Sequence, residues 1–209
     1  RCSRGLRQDG CQATVRRMPD SAVNVARPDE NGTRRALMGA GERLFAERGV
    51  GGPSIRELTS LAGVGNKSAL QYHFGTREGL VLAIVAAHGE TLRGRRALAF
   101  EPIVLDDASS SIERLCEVVV RPYCEFLADG HSELRYLVIC AEVLADPTRR
   151  YEDLQVLFND PLLPRIVELM LEQLDLPDAL ATERLVVGLS QVIGAVATRA
   201  RQQLIGDGV

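Results

Sequence analysis

The chain has 209 residues, 45% of them hydrophobic and 25% charged, and a formal net charge of −3. These are ordinary globular values that exclude wholesale disorder, and the length suits one full core or a small domain attached to a larger one. The longest clean apolar run, Val81 to Ala87, falls far short of the roughly 20 residues of a bilayer span. No apolar stretch follows the N-terminal arginines as a secretory signal would require, so a cytoplasmic protein with no membrane partner is expected.

Residues 1–30 lack apolar periodicity and mix Arg, Ser, Asp, Gly and Pro, which reads as a flexible tail. Met18 is an alternative start, so part of this tail is expected to be an artefact of start-site assignment. Arg1, Arg4, Arg7, Arg16, Arg17, Arg27, Arg34 and Arg35 face only Asp9, Asp20, Asp29 and Glu30 in the first 35 residues. One end of the molecule can therefore be basic although the total is slightly negative, and it offers unspecific phosphate affinity or is simply a solvated tail.

From about Asn31 the pattern becomes helical. Leu37, Ala40, Leu44 and Phe45 recur on one face of a 3.6-residue period, and Gly49 after Arg48 is a C-terminal stop. Gly39 and Gly41 inside this helix each cost about 1 kcal/mol relative to Ala, so tertiary packing must compensate. Ser54 with Glu57 forms a capping box for a second helix running through Leu58 and Leu61. Ala62-Gly63-Val64 then supplies a tight turn in which Gly63 takes the left-handed conformation and Val64 plugs the gap between helices. A third helix is expected from about Lys67, the only lysine, to Phe74. Gly75 breaks it, and Thr76 can cap a fourth helix beginning Arg77-Glu78. Two short helices joined by a glycine turn behind a longer supporting helix describe a helix-turn-helix.

Beyond His88 the long segments remain helical and no strand pattern persists, so the class is all-α. Ile112, Leu115, Cys116, Val119, Tyr123, Phe126 and Leu127 repeat at helical spacing, as do Leu134, Leu137, Val138, Ala141 and Leu144. Pro122 is expected to kink or split its segment, and Pro161 and Pro164 to mark a restart. Leu185, Leu189, Val192, Ile193, Val196, Ala200 and Leu204 draw a stripe on the last helix. The expected organisation is a tail (1–30), a DNA-binding domain (31–88) and a larger helical domain (89–209).

The five cysteines, Cys2, Cys11, Cys116, Cys124 and Cys140, form no CxxC and flank no histidine pair, so neither a metal nor a cofactor is expected. Cys116 and Cys124 are expected to be buried packing thiols. His73, His88 and His131 are scattered, and no GxSxG, HExxH or phosphate-cradling glycine motif occurs. A helical enzyme is the competing reading, and these absences argue against it.

Three landmarks stand in order: Leu37-Met38-Gly39-Ala40-Gly41-Glu42-Arg43-Leu44-Phe45-Ala46-Glu47-Arg48-Gly49; then Ser54-Ile55-Arg56-Glu57-Leu58 with Ala62-Gly63-Val64; then Ala69-Leu70-Gln71-Tyr72-His73-Phe74 with Arg77-Glu78-Gly79-Leu80. This stretch resembles the N-terminal pattern of the TetR family of bacterial transcriptional regulators. It departs from it in the step from Val64 to Ala69 and in Gln71, which stands where the family usually has tyrosine. The run from Asn66 to Gly75 is similar to a subgroup in which an Asn-x-Ser-Ala stretch precedes Tyr-His-Phe-Gly.

The resemblance implies a dimeric regulator, most often a repressor, that is released from a palindromic operator by a small-molecule inducer. A ligand-independent regulator or an activator would share the same N-terminal half. It implies DNA contacts from Lys67, Ser68, Gln71 and Tyr72 on the recognition helix, with Gln71 able to pair with adenine. Ser54 and Arg56 are expected to touch backbone, Arg77 to bind phosphate at the start of helix four, and His73 either to contact DNA or to fix the helix end. Tyr123, Phe126, Tyr136 and Cys140 are candidates for the ligand pocket or plain core. Ile166, Leu169 and Met170, with Leu185, Leu189, Val192, Ile193 and Val196, are candidates for the dimer face or intramolecular core.

Overall fold

The computed structural model describes residues 30–66, 68–105, 111–146, 148 and 160–208. Among these every regular element is helical: α1 (Glu30–Arg48), α2 (Ile55–Leu61), α3 (Ala69–Phe74), α4 (Arg77–Leu105), α5 (Ile112–Glu125) followed by a 3₁₀ turn (Phe126–Ala128), α6 (His131–Ala145), α7 (Leu162–Leu171) and α8 (Asp178–Gly206). The chain is all-α, with a helix-turn-helix at its N-terminal side and a helical body beyond. The expected tail (1–30) lies almost entirely outside the described residues.

The first helix buries Leu37, Ala40, Leu44 and Phe45, the stripe that its periodicity marks. Gly41 is on the same buried face for a steric reason. A Cβ there would come within 2.9 Å of Ile84 Cδ1 and 3.1 Å of Leu80 Cδ2 on α4, so its absence lets α4 lie close across α1. Gly39 faces open space, and nothing in the structure explains it. At Gly63 the chain takes φ +67, the left-handed turn that carries α2 into α3 and that a side chain would strain.

Helix α4 runs unbroken past residue 88 and joins the helix-turn-helix to the body. Its first turns place Leu80, Val81, Ile84 and Val85 under α1–α3, and its last turns place Phe100 and Ile103 in a second apolar cluster with α5 and α7. The larger cluster continues from α1 and α4 into α6 and α8, which pack on each other more extensively than any other pair. Core and reading head are thus one continuous apolar body.

Two expectations need correction. Cys116 and Cys124 are exposed, and only Cys140 of the described cysteines is buried, because α5 turns Leu115, Val118, Val119 and Tyr123 inward instead. Pro122 does not split its helix; it sits buried in the last turn of α5, and the tightening to 3₁₀ begins at Phe126. Although α8 has no long run of large apolar residues, its Gly, Ala and Thr content gives an 18-residue window of mean hydropathy 1.4, only 17% of it buried. By length and composition alone that helix suffices to cross a membrane.

Candidate nucleic-acid interface

The reading head is built from the capping box upward. Ser54 Oγ accepts from the Glu57 amide (3.3 Å) and donates to Glu57 Oε2 (2.7 Å), while the Ser54 amide donates to the same carboxylate (2.8 Å). Arg48 at the end of α1 donates to Glu57 Oε1 (2.7 Å), tying the supporting helix to α2. The Ser54 backbone and hydroxyl bonds, with that from Arg48, hold the Glu57 carboxyl below the usual carboxylate range. Arg56 is exposed on the first turn of α2. The Ser54 hydroxyl is thus engaged in the cap.

Helix α3 begins at Ala69, with the Ser68 amide bound to Asn66 Oδ1 (2.9 Å) in a short side-chain turn. Ala69 and Leu70 are buried and anchor it. Ser68, Gln71 and Tyr72 share the opposite face at i, i+3 and i+4, all exposed, Tyr72 to 74%. Lys67 lies outside the described residues. His73 is half-buried, its ring edge-on to Tyr72 at 5.0 Å, and Phe74 is half-buried beneath the Arg34 guanidinium at 5.3 Å. The outward face therefore carries an amide, a hydroxyl and a phenol, groups that hydrogen-bond to base edges and phosphates.

Arg77 Nη1 donates to the carbonyls of Gly51 (2.9 Å) and Pro53 (3.1 Å), so the guanidinium staples the start of α4 to the α1–α2 connection through that one nitrogen. Thr76 caps α4 by accepting from the Gly79 amide (3.0 Å).

Residues 37–84, which hold this geometry, match the family model of the bacterial regulatory proteins, tetR family. The TetR-type segment is thus α1, α2, the turn, α3 and the first part of α4. No curated protein matches the chain. Among solved structures the chain is similar to the TetR family transcriptional regulator PfmR from Thermus thermophilus, at 22% identity and TM-score 0.49, covering 82% of this chain and 96% of that one. It is also similar to NalD, the secondary repressor of the MexAB-OprM multidrug efflux pump in Pseudomonas aeruginosa (19%, TM-score 0.47, 86% and 95%), and to the probable transcriptional regulatory protein RHA5900 (22%, TM-score 0.46, 84% and 98%).

Behind the TetR-type segment, Tyr123, Phe126, Tyr136 and Cys140 come together in the body, all buried. The Phe126 and Tyr136 rings meet at 5.6 Å, and His88 stacks on Tyr136 at 4.8 Å. Burial pushes the Cys140 thiol up to about 12, which leaves it a packing group. Two residues that sequence reasoning missed complete the cluster. Arg96 of α4, 2% exposed, forms a buried ion pair with Asp160, and its guanidinium lies 5.9 Å from the centre of the Tyr123 ring. Among the seven residues 90–96 Arg96 is one of three arginines, and nothing in their order marks it as the buried one.

A second missed group connects this cluster to the reading head. Glu42 of α1 accepts from Ser132 Oγ (2.6 Å) and from His88 Nε2 (3.1 Å), joining α1, α4 and α6. Burial alone would raise the Glu42 carboxyl, but the His88 and Ser132 hydrogen bonds bring it below the usual range. Glu142, farther along α6, accepts from the Val50 amide (2.8 Å).

The candidate dimer residues divide. Ile166, Met170, Ile193 and Val196 are buried in the chain's own core, because α7 and α8 turn that stripe toward α5 and α6; they belong to the intramolecular alternative. Leu169, Leu185, Leu189 and Val192 are half-buried. The large apolar side chains that α8 exposes are Leu180, Val187 and Ile205, spaced at two and then five helical turns along one side. Beside them a groove of about 420 Å³ runs between α6 and α8 over small residues, including Ala141, Ala145, Gly194 and Ala197.

Proposed function

We propose that this chain is a dimeric DNA-binding transcription regulator, a repressor that leaves a palindromic operator when a small molecule occupies its helical body. The observation that carries the reading is the outward face of α3. Within a segment matching the TetR-type model, Ser68, Gln71 and Tyr72 are exposed together on a helix whose opposite face is anchored by Ala69 and Leu70. Lys67, one residue before Ser68 in sequence, supplies a cation for phosphate, and Arg56 supplies another from α2. Gln71 is the residue assigned to base readout.

Two further observations support the wider reading. Leu180, Val187 and Ile205 are exposed on one side of α8 in the single chain, among exposed polar residues such as Gln191 and Thr198, and a second copy would bury them. Such a dimer presents two recognition helices about 34–36 Å apart, one DNA turn. The buried aromatic cluster reaches α1 through His88 and Glu42, so a ligand in the body has a physical route to the reading head.

The test is selection of duplex DNA from a random pool by the full chain, followed by titration of the selected sequence across a salt series. Palindromic enrichment and a steep salt slope are expected. Gln71→Ala should relax preference at one base pair per half-site, at a cost of about 1–3 kcal/mol per contact, and Tyr72→Ala and Lys67→Ala should weaken binding. An unenriched pool, or tight binding that both variants leave untouched, would refute the assignment.

A further inference from the structure

Two opposite charges line one groove without pairing. The groove between α6 and α8, about 420 Å³, has the volume of a small-molecule site. Glu142 and Arg201 both line it. Glu142 is half-buried and accepts from the Val50 amide (2.8 Å), but among the described residues no cation pairs with it. Arg201 is exposed and has neither an ion pair nor a hydrogen bond among them. The two helices run antiparallel, since His131 at the start of α6 meets Asp207 at the end of α8 (3.2 Å). Counted from that end, Glu142 and Arg201 are offset by about 7.5 Å along the pair at 1.5 Å per residue, close enough for one small molecule to touch both. The other polar side chains of the groove are hydroxyls whose protons are committed. Ser190 Oγ donates to the Val186 carbonyl (2.8 Å) and Thr198 Oγ1 to that of Gly194 (2.9 Å), which leaves them as acceptors. Among its polar side chains the groove thus has three acceptors, Glu142, Ser190 and Thr198, and one donor, Arg201.

Charge narrows the ligand. An anion would meet the Glu142 carboxylate and a cation the Arg201 guanidinium, whereas a zwitterion complements both and adds no net charge. We propose that this groove is a small-molecule site and that its ligand is an apolar amino acid. The ammonium donates to Glu142, the carboxylate accepts from the Arg201 fork, and the apolar side chain lies over Ala141, Gly194 and Ala197. The site also touches the reading head. Glu142 Oε1 holds the Val50 amide and lies 3.0 Å from where a Cβ on Gly49 would stand, so the carboxylate that binds the ammonium is the one that fixes the end of α1. This names the ligand of the ligand-responsive reading above and rests on it.

The experiment uses the full chain without DNA and three matched probes at millimolar concentration: L-phenylalanine, phenethylamine and 3-phenylpropionate, followed by calorimetry and thermal shift. The first carries both charges and each of the others one. Phenylalanine is expected to bind about tenfold tighter than either. Glu142→Gln keeps an acceptor for the Val50 amide while removing the charge, and Arg201→Gln removes the donor fork from an exposed position. Each should weaken phenylalanine about tenfold and bring it level with the probe that lacks the matching group. Gly194→Leu builds into space where a Cβ meets nothing within 4 Å, so it should abolish binding while Tm holds. Equal binding of either single-charge probe, phenylalanine binding that survives both charge variants, or no binding to the wild type would overturn the proposal. If no probe binds and Gly194→Leu splits a dimer in sedimentation, the groove is filled by a second copy and the proposal falls. DNA selection with the same preparation separates the two readings: phenylalanine binding without operator binding leaves the site standing and removes the regulator, and the converse removes the site alone.

Discussion

The Arg96–Asp160 pair gives the sharpest test of how the body is held together. Its side chains are 2% and 1% exposed, so neither charge is screened by water as surface pairs are. At an effective dielectric of about 20, two unit charges about 4 Å apart attract by about 4 kcal/mol. Asp160→Asn removes one charge while keeping an oxygen that can still accept from the Leu162 amide, the 2.9 Å contact that starts α7. What remains is a buried guanidinium with no counter-charge, and the expected cost is about 3–5 kcal/mol. For a chain of this length that lowers Tm by about 10 °C.

Arg96→Met should cost a similar amount, since it strands the carboxylate instead. The double variant restores neutrality with a side chain of comparable length, and burial of a well-packed apolar group in place of an ion pair is often neutral. It should therefore return to within about 1 kcal/mol of wild type, giving a coupling far larger than exposed pairs show. Urea unfolding followed by circular dichroism measures all four proteins, with protein concentration fixed because association would shift every midpoint. Single variants that each cost less than about 1 kcal/mol, or a double variant that costs their sum, would refute the claim of a dry, coupled pair.

Other expectations follow from single contacts. Gly39→Ala fills open space in a helix interior and should stabilise by about 0.5–1 kcal/mol, whereas Gly41→Ala meets Ile84 at 2.9 Å and should lose that gain or reverse it; paired thermal melts read both. Because the Glu42 carboxyl is lowered in the fold, the unfolded chain binds its proton more readily. Its contribution is present above the ordinary carboxylate range and is lost as pH falls through the lower folded value. Acid titration of Tm should be shallower in Glu42→Gln, and an identical slope would show that the His88 and Ser132 bonds do not favour the ionised form. Arg77→Ala should lower stability by about 1.5–3 kcal/mol through loss of its two carbonyl bonds, yet leave the salt slope of DNA binding unchanged. A slope reduced by about 0.9 would mean that Arg77 contacts phosphate after all.

The fold near the N-terminus was legible because its determinants are local. The capping box, the turn at Gly63 and the stripe from Leu37 to Phe45 each involve residues within a few positions of one another, and local hydrogen bonds and period leave a mark in the order of residues. Long-range pairings leave none. Glu42 meets Ser132 across 90 positions and Arg96 meets Asp160 across 64, and each half of such a pair looks like any surface charge on a helix. The second role of Arg77 was hidden for the same reason: a cation at a helix start suits a phosphate, and only the folded connection from Gly51 to Pro53 shows that its Nη1 also holds that connection. Cys116 and Cys124 failed because two helix faces can share one apolar period, and burial goes to the face that other helices cover.

Where the reading head attaches to the body matters more than how strongly. Two carboxylates bridge the gap, Glu42 reaching from α1 to Ser132 and Glu142 reaching from α6 to the Val50 amide. Along α6, Ser132 and Glu142 are separated by about 15 Å at 1.5 Å per residue, so the helix grips α1 near its middle and again just beyond its end. Between these two polar contacts α1 and α6 share the continuous apolar core, so a tilt of α6 moves the two points by different amounts and is felt along α1. The first grip also includes His88, which stacks on Tyr136 and meets Phe126 edge-on at 6.1 Å. The second grip, at Val50, precedes the connection that Arg77 staples to α4. A tilt of α6 that strains the two grips unequally would turn α1 with α2 and α3, moving Gln71 and Tyr72 as one unit while the packing within the TetR-type segment stays intact.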